Sequence, residues 1–209
     1  MMDIVRLAHY LSPYVVGAEG NVSCRLPNGF LIKGSGHGFK NLTIEQIAEC
    51  DKDGNQIGRV RPSMEAAFHA LLYRINPKIN YIAHTHPVNC LKILMSYHDT
   101  QRFATQRFFP DQVVFNGVRS CVVPYAKPGE PLAEQIAAAL HDFDEFPDVF
   151  LLRNHGIICC GRNHNDVIIK TEICEKAASC INFNSEPLST TDILELVGDE
   201  KEKFRKDLI

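Results

Sequence analysis

The sequence predicts an α/β domain in which helices accompany a largely antiparallel sheet, either as an α+β fold or as a three-layer α/β/α sandwich. One observation is the Asn28-Gly29 turn between two apolar runs, residues 22–26 and 30–33, which is a strong hairpin signal. A second observation is a series of segments with apolar residues at helical spacing, which lie between further strand-like runs. Hairpins mixed with helices are typical of these two architectures.

The first half of the chain opens with a predicted amphipathic helix over residues 3–16, which has an early break. After the hairpin, Thr43 begins a capping-box pattern that predicts a short helix. Residues 51–55 predict a hairpin turn. A longer helix is predicted over residues 62–74, with Ser63 as its natural N-cap.

The second half alternates between short apolar runs and helical periodicity. Strands are predicted at residues 81–87, 113–115, 121–123, 149–153 and 156–161, of which the last two form a hairpin. Helices are predicted at residues 88–96, 131–143, 165–182 and 191–206. Residues 98–112 are polar and aromatic, and we interpret them as an irregular loop near a site or an interface.

Length and composition restrict the possible classes of protein. A chain of 209 residues with 45% hydrophobic residues can bury a sizeable core, and we expect a single domain over residues 1–209. The net charge of -3 gives no reason to expect nucleic acid or an anionic membrane as a partner. No apolar run approaches the roughly 18 to 20 residues of a membrane span, and the N-terminus lacks a signal-peptide pattern. We therefore expect a cytoplasmic protein.

The 8 cysteines are more frequent than average but fall short of the density of a disulfide scaffold. No C-x-x-C pattern occurs, so a zinc ribbon or a thioredoxin-like motif is absent. Most of the cysteines have apolar neighbours, and we predict small, buried, reduced thiols.

Histidines at the ends of two strand-like runs are the main functional signal. His84 and His86 alternate along a predicted strand, so both project from the same face. His155 directly follows the apolar run at residues 149–152, and Glu65 opens a predicted helix. An isolated His-x-His pattern usually carries no function. Three neutral imidazoles with one carboxylate, however, suit Zn²⁺ or a similar divalent ion and leave room for a substrate oxygen.

Two further features surround this candidate site. The segment at residues 34–38 alternates glycines with Ser35 and His37, so that its backbone N–H groups could converge on an anion. A flexible turn is the alternative, and the spacing fits neither a dinucleotide-binding fingerprint nor a Walker loop. His69 lies one helical turn after Glu65, and we interpret it as a core or supporting histidine rather than a ligand.

Several short motifs occur together in a family order. They are Gly20-Asn21-Val22-Ser23, Gly34-Ser35-Gly36 with Leu42-Thr43, Asp53-Gly54-Asn55, Pro62-Ser63-x-Glu65 with His69, His84-Thr85-His86, and Asn154-His155-Gly156. By these motifs the chain resembles the class II aldolase/adducin family, of the L-fuculose-1-phosphate aldolase type. The resemblance covers about residues 5–182, which leaves a C-terminal helical tail at residues 189–209.

The resemblance implies a three-layer α/β/α domain, usually in a fourfold-symmetric homotetramer with sites at the subunit interfaces. It also implies a metal site of His84, His86 and His155 for Zn²⁺ or another divalent ion such as Mn²⁺ or Co²⁺. Glu65 would be the catalytic acid/base group. The residues implied for binding the phosphate of a small sugar substrate are Asn21, Ser35, Gly36 and Ser63.

The activity implied first is retro-aldol cleavage of a sugar phosphate, or of a related small ketose, through a metal-stabilised enediolate. Two alternatives within the family are a sugar-phosphate epimerase and a methylthioribulose-phosphate dehydratase, which share the metal ligands and differ in the placement of acid/base groups. A third alternative is a non-catalytic, adducin-like binding module.

The chain departs from the family pattern at several positions. Met64 stands where a second serine often precedes the glutamate, and Lys33 and His37 border or enter the glycine-rich segment. Tyr97 and Tyr125 are the candidates for a catalytic tyrosine. The sequence around residues 109–111 and 124–129 is closer to rhamnulose-phosphate-aldolase-like members.

Overall fold

The computed structural model describes residues 2–182 and 184–207, which form a mixed α/β fold around one sheet. The strands are β1 (Asn21–Leu26), β2 (Gly29–Lys33), β3 (Ile47–Asp51), β4 (Tyr81–Thr85), β5 (Cys121–Val123), β6 (Val149–Leu152) and β7 (Gly156–Gly161). The helices are α1 (Met2–Leu11), α2 (Ala66–Ile75), α3 (Val88–Leu94), α4 (Tyr97–Thr105), α5 (Pro110–Asn116), α6 (Glu130–Leu140), α7 (His164–Cys180), α8 (Thr190–Gly198) and α9 (Glu200–Asp207). Short 3-10 helices lie at Ser12–Tyr14 and Ile44–Gln46.

The sheet has the strand order β3-β2-β1-β4-β7-β6-β5. All neighbouring strands are antiparallel except β5 and β6, which are parallel. The predicted hairpins at β1–β2 and β6–β7 are therefore confirmed, as is the largely antiparallel sheet. In the centre of the sheet, Asn21 on β1 lies opposite His84 on β4, and Thr85 lies opposite Ile157 on β7.

Helices pack on both faces of the sheet, which confirms the predicted three-layer arrangement. Adjacent residues of β4 illustrate this, because Ala83 belongs to one apolar core and Ile82 to the other. The first core lies under α1, α3, α4 and α7, and the second lies under α2 and α6. His84 shares the face of Ile82 and contacts Phe68 of α2 edge to face, with ring centroids 5.8 Å apart. The candidate site is therefore formed between the sheet and α2.

The prediction of an irregular loop at residues 98–112 and a strand at residues 113–115 is wrong. This region contains Tyr97–Thr105 as one helix and Pro110–Asn116 as another. Pro110 supplies the dihedral angle that suits a first helical position, and the apolar run that follows packs against α7. The fully buried Arg107 donates to four backbone carbonyls around the two helices and so holds the region together. Tertiary packing thus overrides a local preference for a strand.

Smaller differences concern the ends of elements. The tail predicted as one helix over residues 191–206 consists of two helices, α8 and α9, which meet at Asp199. The short helix that Thr43 caps has the predicted capping box, with the Thr43 amide 3.1 Å from Gln46 Oε1. The strand β3 follows this helix directly. All 8 cysteines are free and seven are buried, as expected for reduced thiols. Within the described ranges, no helix combines the length and apolar content that crossing a bilayer requires.

Candidate metal centre

Three histidines that are distant in sequence come together at one end of the sheet. His84 lies near the end of β4, His86 follows that strand, and His155 occupies the tight turn between β6 and β7. The Nε2 atoms of His84 and His86 are 3.0 Å apart. One ring nitrogen from each of the three residues lies within 4.8 Å of the other two. The structure therefore brings together the histidines that the sequence analysis singled out.

Backbone geometry makes this close approach feasible. A Cβ atom at Gly156 would lie 2.5 Å from the Thr85 carbonyl oxygen and 2.6 Å from His86 Cδ2, so only glycine fits there. Asn154 adopts a left-handed conformation with φ of 55°, which turns the chain so that His155 faces β4. The His86 amide donates to the Tyr14 carbonyl oxygen at 2.9 Å, which fixes the backbone beyond the end of β4.

The outer nitrogen of each paired imidazole already has an acceptor. His84 Nδ1 donates to the Ile157 carbonyl oxygen at 2.9 Å, and His86 Nδ1 lies 3.3 Å from Glu19 Oε2. Each neutral ring therefore carries its proton on Nδ1 and a lone pair on Nε2. Two lone pairs directed at each other across 3.0 Å repel unless a cation lies between them. The donor set and its fixed tautomers thus fit a divalent metal ion.

Burial keeps these imidazoles in the neutral form that a metal requires. Desolvation, reinforced by neighbouring imidazoles, lowers the pKa of His84 to about 3 and the pKa of His86 to about 4. The pKa of His155 is also lowered, mainly by burial, although the nearby Glu65 carboxylate partly offsets this effect. At neutral pH no proton has to leave the Nε2 atoms before a cation binds.

Glu65 lies directly beside the triad, at the N-cap position of α2. Its Oε2 atom accepts a hydrogen bond from Asn21 Nδ2 at 2.8 Å and lies 3.4 Å from His84 Nε2. Its Oε1 atom lies 3.5 Å from His155 Nε2, is buried, and has no hydrogen-bond donor among the described residues. The helix predicted over residues 62–74 with Ser63 as its N-cap is shorter in the structure, where α2 starts at Ala66 with Glu65 as its N-cap. Ser63 Oγ instead accepts from the Glu65 amide at 3.3 Å. A buried carboxylate oxygen without a donor is what a proton-transferring group or a further ligand atom requires.

The residues expected to bind phosphate lie at different distances from this carboxylate. Asn21 Nδ2 contacts Ser63 Oγ at 3.2 Å as well as Glu65, so these three side chains form one group. Ser35 and Gly36 belong to the glycine-rich segment, which is joined to the Ser63 segment through backbone pairing. The Ser35 amide donates to the Arg61 carbonyl oxygen at 2.9 Å, and the Ser63 amide donates to the Lys33 carbonyl oxygen at 3.2 Å.

Two charged residues near the site were not assigned a role from the sequence. Glu19 contacts His86, as described above, but an exposed glutamate in a glycine-rich loop gives no sequence signal for such a contact. Lys33 is buried, and its Nζ donates to the Ala18 carbonyl oxygen at 3.0 Å and to the His37 carbonyl oxygen at 2.5 Å. Burial lowers the pKa of Lys33 to about 8. A lysine at the end of an apolar strand is the one sequence signal that could have indicated it.

The two candidate catalytic tyrosines share one groove. Tyr97 and Tyr125 are both exposed and line a groove of about 580 Å³. Arg153 and Asn154 line it as well, and the Arg153 guanidinium lies 5.3 Å from the centroid of the Tyr97 ring. Asn154 directly precedes His155, whereas no histidine of the triad is among the described residues that line the groove.

Comparisons with known proteins identify the family of the chain. Residues 1–181 match the family model described as the class II aldolase and adducin N-terminal domain. A 3-oxo-tetronate 4-phosphate decarboxylase of Haemophilus influenzae is 33% identical over 170 residues, which cover 81% of this chain and 79% of that protein. An L-fuculose phosphate aldolase of Methanocaldococcus jannaschii is 32% identical over 175 residues, which cover 84% and 90% of the two chains.

Solved structures give the same result. YgbL of Escherichia coli, for which aldolase, epimerase and decarboxylase activities are considered, superposes with a TM-score of 0.81 at 26% identity. The superposition covers 93% of this chain and 96% of YgbL. An L-fuculose 1-phosphate aldolase has the same fold, with a TM-score of 0.78 at 22% identity over 98% and 95% of the chains. The chain therefore belongs to the class II aldolase and adducin family.

Proposed function

We propose that this protein is a divalent-metal-dependent carbon–carbon lyase that acts on a small phosphorylated ketose or keto acid. One observation carries the proposal: three neutral imidazoles converge beside a buried carboxylate that has one oxygen without a donor. Imidazole ligands with an adjacent carboxylate suit a metal that must keep a position open for substrate. A non-catalytic binding module of the adducin kind would instead be expected to lack these side chains.

The residues proposed to hold the metal are His84, His86 and His155. A bound Zn²⁺, or Mn²⁺ or Co²⁺ in its place, would supply Lewis-acid polarisation of a substrate carbonyl. Glu19 and the Ile157 carbonyl group fix the tautomers of two of the ligands and so keep their Nε2 lone pairs available. Burial of His84 and Glu65 limits access of water to the reacting atoms.

Glu65 is proposed to move the proton at the carbon atom next to that carbonyl group. In retro-aldol cleavage the hydroxyl group on the departing carbon loses its proton and that carbon becomes an aldehyde, while the carbon–carbon bond breaks and its electron pair stays with the carbonyl fragment. The fragment then takes one proton at carbon, and Glu65 Oε1 can deliver it because this oxygen has no competing donor among the described residues. The substrate phosphate is proposed to bind at Asn21, Ser35, Gly36 and Ser63, where the second N–H of Asn21 donates to Ser63 Oγ and so orients that hydroxyl group.

Decarboxylation is a second candidate reaction, and the similarity to 3-oxo-tetronate 4-phosphate decarboxylases favours it. Loss of CO₂ from a 3-oxo acid also leaves an electron pair on the carbon next to a carbonyl group, which then takes one proton. Cleavage of a ketose 1-phosphate between C3 and C4 and decarboxylation of a four-carbon 2-hydroxy-3-oxo acid 4-phosphate both yield dihydroxyacetone phosphate. The same carboxylate could therefore serve both reactions.

The family alternatives of epimerisation and dehydration differ from both reactions in their products. Cleavage gives two carbon fragments, decarboxylation gives CO₂, epimerisation gives an isomer, and dehydration gives water. We further propose a homotetramer with its sites at subunit interfaces. The groove that contains Tyr97 and Tyr125 would then be completed by a neighbouring subunit.

The experiment combines metal analysis with product analysis. Metal content is measured for the wild type and for His84→Ala after addition of Zn²⁺, Mn²⁺ or Co²⁺. The loaded proteins, together with Glu65→Gln, are then incubated with ketose 1-phosphates and with a 3-oxo acid 4-phosphate. We expect about one metal ion per chain in the wild type, loss of it in His84→Ala, and metal retention without turnover in Glu65→Gln. A wild type that binds none of these metals would refute the mechanism.

A further inference from the structure

Five buried side chains form a continuous hydrogen-bond chain that leads away from the candidate base. Glu65 Oε2 accepts from Asn21 Nδ2 at 2.8 Å, and Asn21 Oδ1 bonds to His69 Nε2. His69 Nδ1 bonds to Ser23 Oγ at 2.7 Å, and Ser23 Oγ bonds to the Tyr73 hydroxyl group at 2.7 Å. All five residues are buried in the layer between the sheet and α2. We call this series the positioning chain.

The positioning chain arises from a match between two backbone repeats. Asn21 and Ser23 are alternate residues of β1 and lie about 6.6 Å apart along the strand. Glu65 at the N-cap of α2, and His69 and Tyr73 within that helix, are spaced by four residues, which corresponds to about 6 Å per step. Because the two spacings nearly coincide, each strand side chain can sit between two helix side chains. The register of β1 against α2 therefore determines every link.

The end of the positioning chain that is distant from Glu65 is anchored to the backbone. Arg25, the next alternate residue of β1, places its guanidinium 4.6 Å from the centroid of the Tyr73 ring. The same guanidinium donates to the carbonyl oxygens of Tyr73, Asn76 and Ile79 at 2.6 to 2.8 Å. It thus fixes the C-terminal end of α2 against β1 and holds the last member of the chain in place.

The hydrogen bonds of the positioning chain are consistent with only one direction of donation. A carboxylate can only accept, so Asn21 must turn its NH₂ group towards Glu65 and its Oδ1 atom towards His69. His69 must then carry its proton on Nε2, because it donates to that oxygen, and its Nδ1 atom must accept from the Ser23 hydroxyl. Ser23 in turn accepts from Tyr73. Reversal of any one link would place two acceptors or two donors against each other.

We propose that this chain positions Glu65 for catalysis by holding Oε2 and leaving Oε1 as the atom that exchanges protons with substrate. His69, Ser23 and Tyr73 are positioning residues, since they act through Asn21 and do not reach the triad themselves. No proton needs to move along the chain, because its role is to set the direction of the Asn21 amide. This inference rests on the proposed function, in which Glu65 moves the proton.

The test uses dihydroxyacetone phosphate as the probe and metal-loaded protein. Nuclear magnetic resonance in D₂O follows exchange of a C–H proton of the probe and gives a maximal rate and a KM. The variants are Ser23→Ala, which removes the donor to His69, and Tyr73→Phe, which leaves that donor in place. Thr171→Val is the matched control, because it removes another buried hydroxyl group, on α7, that bonds only to the Val167 carbonyl oxygen in the described part of the chain.

We expect Ser23→Ala to lower the maximal rate by about 10- to 100-fold, the range typical of outer hydrogen-bond partners at such sites. KM and metal content should stay close to the wild-type values, and Tyr73→Phe should cause a smaller loss. Thr171→Val should behave as the wild type. A Ser23→Ala variant that exchanges the probe at the wild-type rate would overturn the proposal, as would a loss confined to KM or to metal content.

A second readout does not depend on activity. Long-range proton–nitrogen correlation spectra of ¹⁵N-labelled, zinc-loaded protein report the tautomer of His69. We expect the neutral Nε2–H form, and the Nδ1–H form would overturn the assigned direction of the chain. If the wild type exchanges no proton of the probe with any metal, the proposed function fails and the catalytic role of the chain fails with it. Exchange that is unaffected by Ser23→Ala refutes the positioning role alone.

Discussion

The substitution Gly156→Ala tests whether the tight turn between β6 and β7 shapes the proposed metal centre without supplying a ligand. The added Cβ atom would lie 2.5 Å from the Thr85 carbonyl oxygen, 2.6 Å from His86 Cδ2 and 3.3 Å from His84 Cε1. Ordinary contacts between such atoms are about 3.5 Å, so the turn must retreat from β4 by about 1 Å. One of the atoms in the way is backbone, and it cannot rotate out of the way as a side chain could.

A displacement of this size is large for a metal site. Ligand distances are satisfied only within about 0.2 Å, and His155 moves with the residue that follows it. We therefore expect Gly156→Ala to weaken metal binding by at least about tenfold, or ~1.4 kcal/mol. Overpacking of this kind should also lower the free energy of unfolding by about 1 to 3 kcal/mol.

The assay is titration with Co²⁺, whose visible absorption reports both affinity and ligand geometry, followed by competition with Zn²⁺. Gly58→Ala is the matched control, because a Cβ atom there would meet nothing closer than Glu49 Cβ at 4.0 Å. We expect Gly58→Ala to bind as the wild type does. If Gly156→Ala shows the wild-type spectrum and affinity, the turn relaxes without moving His155 and the steric reasoning is refuted.

Three further predictions concern buried charge. Burial lowers the pKa of Lys33 to about 8, so the buried ammonium group destabilises the fold fully below pH 8 and less as the pH rises towards 10.5. Over that range, the free energy of unfolding measured in urea should rise for the wild type, relative to Lys33→Met, by up to about 1.4 kcal/mol per pH unit. Burial lowers the pKa values of His69, His84 and His86, so these imidazoles take up protons near pH 6.5 only in the unfolded chain. The free energy of unfolding of the metal-free protein should therefore decrease as the pH falls from about 7 to about 5.5, and a value that does not change with pH would contradict this. Arg107→Met leaves buried carbonyl groups without donors and should lower the free energy of unfolding by about 2 to 4 kcal/mol, while metal content per folded chain stays unchanged.

The three histidines of the candidate metal centre could be singled out from the sequence because their local geometry is simple. Alternation along a strand places His84 and His86 on one face whatever the rest of the chain does, and a polar turn after an apolar strand places His155 at a sheet end. The hairpin at Asn28-Gly29 is similarly local, because that pair adopts the turn by its own backbone preference. Local preferences of this kind are not overridden by tertiary packing, and they were sufficient to predict the hairpins of the sheet and the grouping of the three histidines.

Features that depend on long-range packing could not be identified in this way. The run at residues 113–115 has the local preference of a strand, but packing against α7 makes it a helix. The contact between Glu19 and His86 depends on how one loop lies over another. The spacing of Glu65, His69 and Tyr73 is visible in the sequence, but its meaning depends on the register between α2 and β1.

The proposed metal centre would also link folding to metal supply. Its ligands come from two regions far apart in the chain, so they converge only in the folded state. A cation that binds this arrangement and not the unfolded chain adds about 2.7 kcal/mol to the folding free energy when its free concentration is 100 times its Kd. Domains typically have only about 5 to 15 kcal/mol in total. In a metal-starved cell, the protein would therefore be removed by proteolysis more readily and would not persist as a reserve of inactive apoprotein.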